Sequence, residues 1–162
     1  MSLHIEVQLN GLGKAMKKHL AVLMAGLAVL LFAATASAQS SVFVGNMLPG
    51  NEIPPLDTGM GGLCVASVVV NDDGSSTALV IMSAYGNDTR ITASHIHIGA
   101  ADVAGPVICP LFTTGEWTNP VIGTCEFSVD QTTELFNGNL YCNVHTMAHG
   151  GGEIRDQLNF VQ

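Results

Sequence analysis

Cys64-Val65-Ala66-Ser67-Val68-Val69-Val70, then Asn71-Asp72-Asp73-Gly74, then Thr77-Ala78-Leu79-Val80-Ile81-Met82-Ser83-Ala84 is the stretch on which the fold turns. Two β-branched runs flank an Asp-Gly pair, and glycine supplies the positive φ that tight hairpin turns need, so the stretch predicts an antiparallel β-hairpin. Working outward, short runs rich in Val, Ile, Thr and Phe recur between turn residues, at Val42 to Val44, Ile91 to Ile98, Pro106 to Phe112, Cys125 to Val129, Asn139 to His145 and Glu153 to Phe160. Met47 to Pro55 reads as irregular, since Pro54-Pro55 cannot donate to a central ladder. No stretch sustains a helical period. The expectation is an all-β antiparallel sandwich of about eight strands.

Toward the N-terminus the pattern changes. Met16-Lys17-Lys18-His19 precedes an apolar run from Leu20 to Ala34 and a small-residue end at Ala36-Ser37-Ala38, the order of a cleavable signal peptide. The run is shorter than the roughly 20 residues of a membrane span, and no basic anchor follows it. The reading is a signal peptide over 1–38 and one domain over 39–162, secreted or periplasmic, with no membrane attachment after cleavage; an uncleaved anchor is the alternative. Residues 1–15 lie upstream of the n-region and fit a start placed ahead of a true initiator at Met16.

All three lysines lie in that leader, so residues 39–162 keep only Arg90 and Arg155 against 12 acidic residues, a formal charge of −10. Such a surface repels phosphate backbones and anionic lipid, which excludes nucleic acid as a partner class. Cys64, Cys109, Cys125 and Cys142 form an even set, which in an exported chain predicts disulfides. Three pairings exist. Cys109 with Cys125, flanking a short loop with Gly115, Asn119 and Pro120, is the first choice, leaving Cys64 with Cys142. Thiolate metal ligation, the competing reading, lacks a C-x-x-C pair.

His95-Ile96-His97 and Val144-His145, with His149 just beyond, are the most informative residues. Strand side chains alternate, so His95 and His97 share one face and Tyr141, Asn143 and His145 another. Were the two strands neighbours, three imidazoles would converge on a candidate copper or zinc site, with water, His149 or an acid in the fourth position. Proton competition with such a site would set in near the free histidine pKa of about 6.5. The competing reading is that the histidines tie loop backbone together without metal. Glu153 and Arg155 share a strand face and would pair or brace a histidine. Trp117 is either an exposed binding residue or a cover for the core. Asn87-Asp88-Thr89 is a glycosylation sequon, disfavoured by the bacterial style of the leader. No G-x-S-x-G elbow or similar nucleophile context occurs, which argues against a hydrolase.

Four motifs in order carry a family resemblance: Asn51-Glu52-Ile53-Pro54-Pro55; Ala93-Ser94-His95-Ile96-His97 with Gly99-Ala100 and Gly105-Pro106-Val107; Tyr141-Cys142-Asn143-Val144-His145-Thr146; and Gly151-Gly152-Glu153-Ile154-Arg155-Asp156-Gln157-Leu158. From Met47 onward the chain resembles the CHRD domain, named for repeats in the growth-factor antagonist chordin and found singly in exported bacterial proteins. Asp156 departs from it, where the family pattern has glycine. The resemblance implies an immunoglobulin-like sandwich; with the histidine pattern, the function expected is a non-catalytic binding module for a metal ion or an unknown protein partner. The H-x-H strand and the later V-H strand end are also similar to copper/zinc superoxide dismutase, a Greek-key sandwich. There His95, His97 and His145 would be copper ligands, but Val107 stands where a further histidine is expected. A dismutase-like copper redox enzyme, or a structural or adhesive module without metal, are therefore the alternatives to the binding module.

Overall fold

The structure, a computed structural model, describes residues 40–86 and 90–161. The leader and the sequon Asn87-Asp88-Thr89 lie outside those residues. Among the described residues nine strands form two antiparallel sheets: β1 (Ser40–Met47), β2 (Gly61–Val70), β3 (Ser76–Tyr85), β4 (Ile91–Ile98), β5 (Val107–Phe112), β6 (Val121–Phe127), β7 (Leu140–Thr146), β8 (Ile154–Gln157) and β9 (Asn159–Val161). The order is β6-β3-β2-β1-β9 in one sheet and β5-β4-β7-β8 in the other, the expected all-β sandwich.

The opening hairpin forms as read. β2 and β3 pair from Gly61↔Tyr85 to Val70↔Ser76. Gly74 closes the turn at φ 85°, donating its N–H to the Asn71 carbonyl at 3.0 Å. Alternation then sorts the strand: Cys64, Ala66 and Val68 are buried while Leu63 is 42 % exposed, so one face of the hairpin enters the core. Phe43, Met47, Val80, Met82, Ile96, Leu140, Val144 and Ile154 complete that core. Trp117 packs edge-on against Phe112, with ring centroids 5.4 Å apart, and covers the core margin.

Both disulfides pair as the sequence suggested. Cys64–Cys142 joins β2 to β7 through the middle of the sandwich, and Cys109–Cys125 joins β5 to β6 along one edge.

Two elements differ from expectation. The strand placed at Cys125 to Val129 runs instead over Val121–Phe127, and α1 (Val129–Phe136) follows it. Eight residues show too little of a 3.6-residue period to stand out, but Ser128-Val129-Asp130-Gln131 is a capping box. The Ser128 hydroxyl accepts from the Gln131 N–H and the Gln131 side chain from the Ser128 N–H. The strand placed at Glu153 to Phe160 breaks in two, because the chain crosses between sheets there. Leu158, fully buried, marks the crossing and donates its N–H to the Leu140 carbonyl at 2.8 Å.

β4 and β7, the two histidine strands, are hydrogen-bonded neighbours, in register at Ala93↔His145, His95↔Asn143 and His97↔Tyr141. β8 extends the same rows with Asn143↔Arg155 and Tyr141↔Gln157. Ile96, Cys142, Val144 and Ile154 face the core, so the alternating set lies on the outer face of the four-stranded sheet. The 3-10 turn Pro49–Asn51, with Glu52 after it, and the loop from Gly99 to Gly105 cover part of this face.

Candidate metal centre

His95, His97 and His145 each offer a ring nitrogen, and these lie within 4.8 Å of one another. His95 Nδ1 is 3.2 Å from His145 Nε2. A tetrahedral zinc ion with bonds of about 2.0–2.1 Å sets its ligand nitrogens about 3.3–3.4 Å apart, so this pair already has the spacing of two ligands.

Two of the rings have their tautomer decided by the fold. His97 Nδ1 lies 2.9 Å from the Gly105 carbonyl and His145 Nδ1 lies 3.1 Å from the Gly150 carbonyl. A carbonyl only accepts, so both Nδ1 atoms carry the proton and both Nε2 atoms keep the lone pair, as in imidazoles oriented for metal binding. Without metal, His95 Nδ1 donates to His145 Nε2; moving that proton to His95 Nε2 frees both lone pairs for an ion. The Nε2 of His97 is buried and makes no hydrogen bond. An orphaned acceptor of this kind loses its hydration without compensation, and a metal ion would supply what is missing.

The electrostatics favour neutral rings. Burial holds His95 down at about 4, with the charges of His145 and His97 acting in the same direction. Burial also lowers His97, against the raising effect of its bond to Gly105, and lowers His145, against that of Gly150. Among the described residues these three histidines are the one group of His, Cys, Asp or Glu that converges in this way.

His149, expected as a fourth ligand, is not part of the group. The chain reverses after Thr146, and His149 closes that turn with its backbone: its carbonyl accepts from the N–H groups of Thr146 and Gly152, and its N–H donates to the Thr146 hydroxyl. The same reversal turns the Gly150 carbonyl toward His145.

Asn143, Glu153 and Arg155 are all buried; Asn143 stands opposite His95 in the β4–β7 ladder, whereas Glu153 lies just ahead of β8 rather than on it, and Arg155 covers Tyr141 instead of forming the expected direct brace on a histidine. Asn143 donates to Glu52 Oε1 at 2.8 Å, and the Glu153 carboxylate accepts from the Thr146 hydroxyl. Arg155 braces Tyr141: its guanidinium carbon sits 3.6 Å from the Tyr141 ring centroid, while His97 stacks on that ring at 4.8 Å and 10°.

Residue-by-residue reading missed Glu52 as a buried acid. Desolvation pushes it up to about 7, more than Asn143 and Arg155 pull it down. Its one signal was membership of the Asn51-to-Pro55 motif. Asp156, the departure from the CHRD pattern, accepts from the Asn46 N–H at 2.8 Å and from Asn51 Nδ2 at 3.3 Å, tying β8 to the end of β1 and to the 3-10 turn.

The CHRD domain family matches residues 32–158, across both histidine strands and the segments that cover them. The chain belongs to the CHRD domain family. No curated protein and no solved structure matches it. The CHRD match also takes in Glu52, Gly105, Tyr141 and Arg155, so the parts that surround the histidines fall inside the family's own span. No helix among the described residues is long and apolar enough to cross a membrane.

Proposed function

We propose that this CHRD domain is an exported binding module that holds one copper or zinc ion on His95, His97 and His145, with a fourth position left to water or a small ligand. The observation that carries the reading is the buried, unpartnered Nε2 of His97 within a three-imidazole group. A purely structural use of the histidines accounts for the bonds to Gly105 and Gly150, but those employ Nδ1. Ligation employs the opposite nitrogens, so the loop ties orient the ligands rather than compete with them. Export agrees with the two disulfides, which persist in oxidising compartments.

Untagged protein loaded with zinc or copper and then desalted is expected to retain about one equivalent of metal by elemental analysis, and His95→Ala/His97→Ala to retain none, because one imidazole is too few for a stable site. Equal occupancy in the two proteins overturns the reading.

The pH dependence has a definite sign. Ligands must be neutral, and a histidine whose pKa is lowered stays neutral to a lower pH. Since all three are lowered, His95 to about 4, occupancy should hold through the free-histidine value of about 6.5 and fall only in more acid solution. Metal retention measured from pH 7.5 down to 4 checks this; half-release at pH 6.5 would contradict it.

A further inference from the structure

We infer that Tyr141 and Arg155 are positioning residues of the histidine site, a clamp that holds His97 in one orientation and one tautomer. The inference rests on the metal reading only for its purpose; the clamp itself is a matter of geometry. Tyr141 is 3 % exposed and Arg155 2 %. The phenol ring is stacked within 10° by the His97 imidazole and covered by the Arg155 guanidinium, and because β4 and β8 flank β7 the two approach it from opposite sides. A cation over a ring face and a parallel neighbour opposite it are both favourable contacts, and together they leave the ring no free face.

The clamp is closed by the loop. Arg155 donates to the carbonyls of Val103 at 3.2 Å and Ala100 at 3.3 Å, and Gln157 Nε2 donates to the Gly99 carbonyl at 3.1 Å. These bonds staple the loop to β8. At its far end Gly105 serves both aromatic groups, accepting from His97 Nδ1 at 2.9 Å and from the Tyr141 hydroxyl at 3.4 Å while donating its N–H to that hydroxyl at 3.0 Å. Arg155 thus acts on His97 by two routes, through the ring it covers and through the loop whose carbonyl takes the Nδ1 proton. Lysine cannot substitute, because the planar fork is what stacks and grips two carbonyls together.

The test reads the histidine tautomers by nitrogen NMR on the metal-free full-length domain at neutral pH, with zinc affinity measured in parallel by chelator competition. In the parent protein His97 should show a protonated Nδ1 and a bare Nε2. In Tyr141→Leu and in Arg155→Lys the two nitrogens should average, and zinc affinity should fall about tenfold, as for loss of an outer partner of a ligand. Tyr141→Phe keeps the stack and should keep the tautomer. His145, fixed by Gly150, is the internal control and should stay Nδ1-protonated throughout. Should Tyr141→Leu fail to fold, Arg155→Lys decides. An unchanged His97 in a folded variant, or equal loss of order at His97 and His145, overturns the clamp. A parent protein with the fixed tautomer but no zinc binding would remove the metal reading and leave the clamp standing.

Discussion

Gly105→Ala is expected to destabilise the domain by about 3–5 kcal/mol and to weaken metal binding by at least about tenfold. A Cβ at this position would stand 1.7 Å from the Ile98 carbonyl oxygen, 2.6 Å from its carbon and 3.3 Å from the Gly99 Cα. These are backbone atoms of a paired strand end: Ile98 donates to the Pro106 carbonyl and Gly99 to that of Asn139. They cannot swing aside as a side chain would, so Gly105 itself must retreat. Overpacking of this kind costs about 1–3 kcal/mol. Retreat also strips His97 Nδ1 of its acceptor and the Tyr141 hydroxyl of its donor, and each unmade buried bond adds about 1 kcal/mol. Urea denaturation and zinc competition measure the two effects. Gly59→Ala is the control, since nothing lies within 4 Å of a Cβ there. Equal stability of the two variants would show that the loop yields freely, and the account of His97 would fail with it.

Replacing Cys64 and Cys142 together with alanine is the second large effect, expected to cost about 4–5 kcal/mol against about 3 kcal/mol for Cys109→Ala/Cys125→Ala. Sequence separation drives the difference. The first bridge closes a loop of 78 residues and the second one of 16, so the first removes more freedom from the unfolded chain. A domain of this size commonly holds about 5–15 kcal/mol in all, so the Cys64–Cys142 variant should be marginal at physiological temperature. Packing points the same way. Cys64 and Cys142 are fully buried between the sheets, and Cys142 lies on the core side of β7, directly behind Tyr141 and Asn143. Thermal melts of the two double variants give the ranking; a larger loss from the edge bridge would refute the loop argument.

Local patterns carried much of this protein. Alternation placed Cys64, Ala66 and Val68 inside the hairpin, and Asp73-Gly74 placed its turn. The same two-residue period put His95 with His97, and Tyr141 with Asn143 and His145, on defined faces. For the disulfides the sequence allowed three pairings and favoured the one the structure has, from the short loop between Cys109 and Cys125.

Other features lay outside that two-residue period. α1 was too short for its period to register, and the break at Leu158 is set by a crossing between sheets rather than by a turn residue. His149 adjoins His145 in the chain yet falls outside the group, because the reversal after Thr146 spends it on the turn. Glu52, 91 residues from Asn143, and Gly105, eight from His97, enter the site only once the sheet is covered.

By itself, then, the sequence determined which side chains share a strand face, because the pleat is a property of the backbone and needs no partner. Only the tertiary structure decided that β4 and β7 are neighbours and that His97 has Tyr141, Arg155 and Gly105 around it. Pairing between distant strands and loop closure over a sheet depend on contacts that no local pattern encodes.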